Sequence, residues 1–339
     1  MAKKLGAAIH GAGWVAGEHL KSYLRHPDCE LMAISSRKEE SARRLAAENG
    51  LDCAIYTRYD DLIADPKVDV ISLCTPNELH PAETVAGARA GKHLLIEKPV
   101  ALTLADLREM HQVVLESKVK TVVGFVLHWN PLFDVIKGLL ADNAIGRIFY
   151  AEVDYWHGIG PWYKQWEWVW RKDSGGSSFL AAGCHAVDAL RYFMEREVVE
   201  VSAYEAGPRA GYEYSPTIVA AVKFEDGAIG KLSSSLDVVG PYQFNIDLLG
   251  EEGMIRNNRL YSRRLLPGQT AFAEIPTILP DSGDVTHHPF DGEIAHLVDC
   301  IQNDRESEVN LTDAVKTHEL IFAMDQSAAE GRPVELSLP

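Results

Sequence analysis

The stretch LGAAIHGAGWVA, residues 5–16, decides the fold expected for this chain. Its apolar half predicts a strand, Leu5–His10, and its glycine-rich half leads into a helix expected to end near Arg25. The turn matches G-x-G-x-x-G/A, in which glycines let the backbone turn tightly and approach a pyrophosphate, whose charge the helix N-terminus favours. A glycine-rich turn without a ligand is the alternative. The residues expected to contact a dinucleotide are Gly11, Gly13, Trp14 and Val15.

The sequence beyond this turn favours dinucleotide binding. Short apolar runs alternate with helical patterns as far as residue 125, which is typical of βαβ units and a parallel sheet. We therefore predict an α/β Rossmann dinucleotide-binding domain over residues 1–125. Its further strands are expected at Glu30–Ser35, Val68–Cys74, His93–Ile96 and Thr121–Phe125.

The end of the second predicted strand indicates which dinucleotide is bound. NAD enzymes usually place an acidic side chain about 20 residues beyond the glycines, on the ribose hydroxyls. This chain has Ser35, Ser36, Arg37 and Lys38 there. Hydroxyl and guanidinium groups suit a 2'-phosphate, so Ser36 and Arg37 favour NADP, while NAD or the use of both cofactors stays open. An ordinary polar loop before a helix is the alternative.

Polar residues also follow the predicted strand Val68–Cys74. Thr75, Pro76 and Asn77 come directly after it, and His80 begins the next helix. Because ligands collect beyond the carboxyl ends of the strands in an open parallel sheet, we expect the first three to line the nicotinamide ribose and His80 to cap or contact it. A plain turn before a helix is the alternative, since proline and asparagine favour one by themselves.

A charged turn ends the strand His93–Ile96, within HLLIEKPVALT at residues 93–103. Pro99 fixes its own φ, favours extended geometry at Lys98, and permits a cis bond between the two, so the lysine can be held in one direction. We expect Glu97 and Lys98 to contact the cofactor from this turn. A solvated ion pair is the alternative.

From residue 126 the pattern changes to consecutive strand-like runs, at about 147–157, 198–206, 217–236 and 243–265. Consecutive strands predict an antiparallel sheet, so residues 126–339 are expected to form a second, α+β domain. Its helices are predicted at Pro131–Asp142, Asp291–Gln302 and Thr312–Glu330, the first of them bridging the domains.

An aromatic tract rich in tryptophan occupies residues 156–170. Such rings can stack on sugar faces, or form a hydrophobic lid or a subunit contact. We expect one or two of them to stack on carbohydrate and the rest to pack. The side chains expected to line the substrate cleft are Trp129, Tyr155, His157, Trp162, His287 and His288.

Residues 174–188, SGGSSFLAAGCHAVD, enter a helix that carries the candidate His185. A lone helical histidine is usually structural. Gly183 gives His185 more weight, because glycine permits close approach by another backbone or a ligand. One stripe of the helix is apolar and expected in the core, namely Leu180, Cys184, Val187 and Met194. The adjacent stripe consists of Ala181, His185, Asp188 and Tyr192.

Composition limits the partners of this chain. A formal charge of -16 over 339 residues repels phosphate backbones and anionic lipid surfaces, so nucleic acid and membranes are not expected as partners. The five cysteines are widely spaced and include no CxxC pair, which argues against a disulfide framework and a zinc site and favours a cytoplasmic location. No apolar run reaches membrane-spanning length, and no metal is expected.

Taken together, these motifs resemble the glucose-fructose oxidoreductase, inositol dehydrogenase and rhizopine-catabolism (Gfo/Idh/MocA) superfamily. The resemblance spans nearly the whole chain and is carried by residues 11–16, CTPNELH at 74–80, GKHLLIEKP at 91–99, GCHAVDALRY at 183–192 and SAAEGRPVEL near the end. It implies a second domain that binds substrate and has a large open, mostly antiparallel sheet. This sheet would form the subunit interface of a homodimer or homotetramer.

The resemblance also implies a catalytic pair, Lys98 and His185, that contacts a carbohydrate or cyclitol substrate. Members of the family usually carry an aspartate four residues before this histidine, where the present chain has Ala181. A carboxylate one helical turn away would orient the imidazole or bind a substrate hydroxyl. Its replacement is the main departure from the family pattern.

Three functions remain open from the sequence. The leading one is an NAD(P)-dependent oxidoreductase that moves hydride between a nicotinamide cofactor and a sugar, glycoside or cyclitol hydroxyl or carbonyl. The second is redox-assisted cleavage of a glycoside with no net use of cofactor. The third is a non-catalytic regulator that binds NAD(P), and it draws some support from Ala181.

Overall fold

Short strands alternate with helices in the early part of the chain, as seen in a computed structural model that describes residues 4–207, 209, 211–280 and 288–336. The elements in order are β1 (Leu5–His10), α1 (Ala16–Arg25), β2 (Cys29–Ser35), α2 (Glu39–Glu48), β3 (Ala54–Tyr56), α3 (Tyr59–Ile63), β4 (Val70–Leu73), α4 (His80–Arg89), β5 (His93–Ile96), α5 (Leu104–Ser117) and β6 (Thr121–Val123). Beyond the predicted strands and helices, the structure adds β3 and α3, two short elements with little apolar periodicity.

All six strands form one parallel sheet in the order β3-β2-β1-β4-β5-β6. The interior strands are apolar on both faces; Ala7, Ala8 and Ile9 of β1 are fully buried, as expected where helices cover a parallel sheet. The strand order reverses between β1 and β4, so a crevice opens at their carboxyl ends. This arrangement confirms the predicted Rossmann fold.

The later elements are mostly strands. In order they are α6 (Pro131–Ala141), β7 (Ile148–Trp156), α7 (Trp166–Val169), α8 (Lys172–Gly175), α9 (Cys184–Met194), β8 (Val198–Glu205), β9 (Thr217–Phe224), β10 (Ile229–Ser235), β11 (Gln243–Gly250), β12 (Gly253–Arg256), β13 (Arg259–Ser262), β14 (Ala273–Glu274), α10 (Phe290–Gln302), α11 (Leu311–Glu330) and β15 (Val334–Glu335). A π-helical turn, Phe179–Gly183, leads directly into α9.

Nine of these strands form a second sheet, in the order β14-β13-β12-β11-β7-β10-β9-β8-β15. The pairs are antiparallel except that of β7 with β10, so the predicted mostly antiparallel sheet is confirmed. Along β9, side chains alternate between buried and exposed, which leaves one face of the strand for the core. The predicted run at 217–236 is a hairpin of β9 and β10, and its turn contains Gly227 with φ of 87°.

The chain divides into two compact units, Met1–Val126 with Val285–Lys316, and Leu127–Asp284 with Thr317–Pro339. This division differs from the single boundary predicted after residue 125, because α10 packs on α1 in the first unit. The Arg25 guanidinium there binds the Asp291 carboxylate, and the Val123 amide donates to the Val309 carbonyl (2.8 Å). The helix Pro131–Ala141, predicted to bridge the domains, belongs to the second unit.

The cysteines and the helices bear on two further expectations. All five cysteines lie in the described part of the chain, and none of them is in a disulfide there. None of the helices within the described ranges combines the length and apolar character needed to cross a bilayer.

Candidate active site

The two motif glycines have different roles. Gly11 has φ of 101°, and a Cβ there would lie 2.3 Å from the carbonyl oxygen of Cys74, at the end of the neighbouring β4. It is therefore required by the fold itself. Gly13 is exposed, and its missing Cβ would have only that carbonyl near it, at 4.0 Å. The open space at Gly13 is suited to the pyrophosphate of a dinucleotide.

The start of α1 and the end of β2 complete this part of the crevice. No side chain caps the N-terminus of α1, so its first N–H groups are not satisfied by a capping residue. Trp14 and Val15, just before it, are half-buried. At the end of β2, the Ser36 amide donates to the Tyr56 carbonyl (3.1 Å), while the Arg37 side chain is exposed. The predicted ribose-recognition residues thus follow the strand end that the motif requires.

Glu83 ties the ends of β1 and β4 together. The His10 Nε2 lies 3.0 Å from Oε1 of Glu83, and the Thr75 hydroxyl donates to Oε2 of the same carboxylate (2.5 Å). Tyr59 stacks on the His10 ring at 4.4 Å. Thr75 is thereby fixed in orientation by a residue on α4 that the sequence analysis did not identify.

His80 links two of the strand-end turns. Its ring is fully buried, with Nδ1 2.8 Å from the Pro99 carbonyl and Nε2 3.0 Å from the Thr75 carbonyl. Both ring nitrogens therefore contact backbone carbonyls. The predicted contact between His80 and a cofactor would require one of these two contacts to break. Asn77 is also buried, in the short 3-10 turn Asn77–Leu79 that follows Pro76 and precedes α4.

Glu97 is held as part of the same network. Its Oε1 lies 3.0 Å from His19 Nε2, its Oε2 accepts from the Lys98 amide (3.2 Å), and Gly124 leaves room for the carboxylate. Burial raises the pKa of this carboxyl, but the hydrogen bond with His19 and the charge of Lys98 outweigh it and hold the pKa below the ordinary value. The Lys98–Pro99 bond is cis, as the sequence permitted.

Lys98 itself is half-buried at the end of β5. Within the first unit, no described residue hydrogen-bonds its ammonium group. Lys92, at the other end of the strand, shows the contrast, because its ammonium donates to the carbonyls of Asp65 (2.9 Å) and Val68 (2.7 Å). The position and free donors of Lys98 suit a ligand-binding role.

Glu293 of α10 is a second buried carboxyl beside this network. It is fully buried, and neither of its oxygens has a hydrogen-bond partner among the described residues. Burial, followed by the nearby charge of Glu97, raises the Glu293 pKa well above its ordinary value. A buried carboxyl without partners is stable only in its neutral form, so we assign a proton to Glu293.

Replacing Glu293 by glutamine is expected to change how stability depends on pH. A carboxyl whose pKa is raised by folding binds more protons in the folded chain, so its contribution to stability is lost as the pH rises from the unfolded pKa, near 4.5, toward the folded one. In thermal denaturation from about pH 4 to pH 8, the melting temperature of the variant should therefore rise relative to that of the parent as the pH increases. The control is Glu116→Gln at an exposed site. If the melting temperatures of Glu293→Gln and the parent change in parallel with pH, the assignment of a proton to Glu293 is wrong.

In the second unit, His185 lies in the first turn of α9, directly after the π-helical turn. Insertions of this kind are frequent at functional sites. A Cβ on Gly183 would lie 2.5 Å from the Ser234 hydroxyl and 3.0 Å from the Phe179 ring, so the predicted close approach is made by side chains. The π-helical turn therefore packs closely on β10, and this packing fixes the position of His185.

Aromatic rings surround His185 on one side. Tyr155, at the end of β7, stacks near the His185 ring at 6.2 Å between centroids and 24° between planes. Its hydroxyl lies 3.2 Å from Nδ1 of His157. Tyr163 and Tyr242 contact the His157 ring edge to face, both at 5.5 Å. The structure thus brings Tyr155, His157 and His185 together, and adds two tyrosines that the sequence analysis did not assign to the site.

Two other residues of the His185 stripe are also buried, while Tyr192 is half-buried. Ala181 and Asp188 are both 3% exposed. The Asp188 carboxylate lies 2.6 Å from Nε2 of His128. Asp188 is therefore engaged in a buried pair, and the helical position one turn before His185 carries no polar group.

The other predicted substrate residues are more scattered. Trp129 is half-buried and touches the His128 ring, and Trp162 is 78% exposed and lies over Gly160. His288 stacks on Phe290 at 5.8 Å in the first unit, although it was predicted within the second domain. The prediction for His287 lies outside the described residues. Over the described ranges, no group of three or more potential ligands could hold a metal ion.

Two family models match the chain. Residues 5–125 match the Gfo/Idh/MocA model described as an oxidoreductase family with an NAD-binding Rossmann fold, and residues 133–256 match the Gfo/Idh/MocA C-terminal domain. The chain is similar to 1,5-anhydro-D-fructose reductase of Ensifer adhaerens, with 31% identity over 65% of this chain and 66% of that protein.

Two similar proteins are matched over almost their full length. One is scyllo-inositol 2-dehydrogenase (NAD(+)) of Bacillus subtilis strain 168, at 25% identity over 100% of this chain and 98% of that protein. The other is a solved structure, aldose-aldose oxidoreductase of Caulobacter crescentus complexed with glycerol. It has a TM-score of 0.84 and 28% identity, and the match covers 98% of this chain and 100% of that chain.

Proposed function

The chain belongs to the Gfo/Idh/MocA family of NAD-binding oxidoreductases, and from that premise we propose that Lys98 and His185 act together in hydride transfer at a hydroxyl of a sugar, glycoside or cyclitol. The observation that carries the proposal is the pair of environments: a lysine with free donors at the end of β5, and a histidine fixed beside a tyrosine and a second histidine. The similar proteins named above act on an anhydrohexose, an inositol and aldoses.

In this proposal each residue has a defined task. His185 accepts the proton of the reacting hydroxyl, and Lys98 hydrogen-bonds the same oxygen and stabilises its developing negative charge. A nicotinamide cofactor supplies the hydride acceptor for the carbinol carbon. The open space at Gly13 and the N-terminus of α1 would hold its pyrophosphate, and Thr75 and Asn77 would line its nicotinamide ribose.

We further propose that NADP is preferred to NAD. The support is chemical: Ser36 and the exposed Arg37 follow β2, where a carboxylate would otherwise repel a 2'-phosphate. The similar scyllo-inositol enzyme is named for NAD(+). The proposed preference for NADP therefore rests on this chain's own residues and not on that similarity.

The double variant Ser36→Asp with Arg37→Ile is expected to weaken NADP binding far more than NAD binding. Losing a charge-assisted contact to phosphate costs about 1.5 to 3 kcal/mol, which corresponds to an increase in the NADP Kd of about 10- to 100-fold. Titration of both cofactors by fluorescence measures this directly. Arg43→Ile, at an exposed site on α2, is the matched control. Equal NADP affinity in the double variant and the parent would refute the assignment.

A screen of sugars and cyclitols with NAD and NADP in parallel tests the function as a whole. Net appearance of reduced cofactor is the expected result. Cleavage of a glycoside without net cofactor change would instead identify the hidden redox reaction. Tight binding of cofactor with no turnover on any substrate would identify a regulator.

The expected homodimer or homotetramer also remains a proposal. The exposed face of the nine-stranded sheet carries Tyr204 (68% exposed), Val219 (40%) and Ile229 (53%), apolar side chains that a second copy would cover. Sedimentation of the purified protein measures the assembly, and a monomer at micromolar concentration would contradict it. The cytoplasmic location likewise stays a prediction, consistent with the free thiols.

A further inference from the structure

One hydrogen bond in the second unit leads away from His185 toward the surface. Tyr155 is 6% exposed, and its ring lies beside the imidazole of His185. Its hydroxyl reaches Nδ1 of His157 at 3.2 Å, and the His157 side chain is half-buried. A buried phenol is thereby joined to an imidazole that solvent can reach.

This pair matters because neither helix position one turn from His185 offers a group for the same task. Position 181, one turn earlier, is alanine, and Asp188, one turn later, is paired with His128 at 2.6 Å. His185 is itself only 6% exposed. A proton accepted by His185 at each turnover therefore needs a route out of a buried site.

We propose that Tyr155 and His157 form a proton relay that connects the reacting hydroxyl and His185 with solvent. The proposal rests on the proposed function. The titratable side chains that contact the pair include His185 from α9 and the phenols of Tyr163 and Tyr242. Burial raises the pKa of Tyr163 to about 12, so that phenol stays neutral at ordinary pH.

The relay can be written with its protons balanced. As hydride leaves the carbinol carbon, the hydroxyl proton passes to His185. It then passes through a neighbouring substrate hydroxyl to the phenol oxygen of Tyr155, whose own proton moves to Nδ1 of His157. The resulting imidazolium releases one proton to solvent. The net change is one alcohol and one oxidised cofactor converted to one carbonyl, one reduced cofactor and one proton, and reduction runs the same steps in reverse.

The experiment compares Tyr155→Phe, His157→Asn and His157→Ala with the parent on the best substrate of the screen. Each variant is expected to lower kcat about 10- to 100-fold with little change in KM, since proton transfer slows while binding persists. Asparagine can still hydrogen-bond Tyr155 but cannot carry a proton, so it should be as slow as alanine. Added imidazole should restore turnover of His157→Ala and leave Tyr155→Phe unchanged.

Tyr261→Phe is the matched control, because it removes a phenol that donates to the Gln269 carbonyl (3.0 Å) on another part of the sheet. Full kcat in Tyr155→Phe, or in His157→Asn, would overturn the relay, as would a failure of imidazole to rescue a folded His157→Ala. These outcomes are distinct from failure of the proposed function, in which the parent shows no turnover with any substrate.

Discussion

Alanine at Lys98 or at His185 is expected to lower turnover about 10²- to 10⁴-fold, the usual contribution of a positioned acid or base. The reason is that each residue acts on the same oxygen, one by removing its proton and the other by stabilising its charge. Cofactor affinity should change little in either variant. Steady-state kinetics, together with cofactor titration, measures both quantities.

Two controls separate this effect from a loss of structure. Lys92→Met removes an ammonium that is bound by two backbone carbonyls, and His296→Asn removes a ring that pairs with Ser307 at 2.8 Å. Both should reduce the melting temperature and leave turnover of the folded protein near the parent value. If Lys98→Ala and His185→Ala behave like these controls, neither residue is the acid or base and the proposed mechanism is wrong.

Ala181→Asp provides a companion variant, because it restores the family pattern beside His185. A gain in turnover would indicate that ordinary alcohol oxidation was limited by the missing carboxylate. A loss would indicate that the alanine shapes a pocket for a different substrate. The position is 3% exposed, so the melting temperature must be measured alongside the kinetics.

Gly13→Ala is expected to raise the Kd for the dinucleotide about 10- to 100-fold while leaving the fold intact. Apart from its two chain neighbours, no atom of the described residues would lie closer than 4.0 Å to a methyl group at this position, so the chain itself can accept it. It would instead fill the space that a pyrophosphate needs beside the N-terminus of α1. A tenfold change corresponds to about 1.4 kcal/mol. Calorimetric titration and thermal denaturation give the two readouts.

The matched comparisons for Gly13 are two other glycines. Gly138→Ala lies on an exposed side of α6 with open space around it, and should bind cofactor normally and be slightly more stable. Gly11→Ala should destabilise the chain, because its Cβ would lie 2.3 Å from the Cys74 carbonyl at an unfavourable φ. Unchanged cofactor affinity in a folded Gly13→Ala would contradict the assignment of this turn.

Local pattern was enough where an element has clear boundaries. The strands Leu5–His10 and His93–Ile96 are found where the sequence predicted them, because each is a mainly apolar run that a glycine or a charged residue follows. The helix α1 ends at Arg25, as predicted. The strand Ala54–Tyr56 has three residues and is only partly buried, so it leaves no such pattern. The run 243–265 reads as one long strand, whereas the structure divides it into β11, β12 and β13, because turns of only two residues separate them.

Some residues of the candidate site could be identified from local sequence, and others could not. Gly11, Gly13, Lys98 and His185 could be identified because a motif surrounds each of them. Glu83 and Glu293 could not, since the role of Glu83 depends on His10 and Thr75, and that of Glu293 on its burial in α10 near Glu97. The role of His80 changed for the same reason: a polar residue after a strand suggested a ligand contact, whereas folding engages both its nitrogens with carbonyls.

The sequence by itself determined the parallel Rossmann sheet, the second antiparallel sheet and the candidate residues of the two motifs, because period and turn chemistry act over a few neighbouring residues. Only the tertiary structure decided that His10 meets Glu83 across 73 positions, that His19 meets Glu97 across 78, and that Tyr155 lies between His157 and His185. Such contacts depend on strand order and helix packing, and burial then makes each carboxylate and imidazole depend on the partner that the fold supplies.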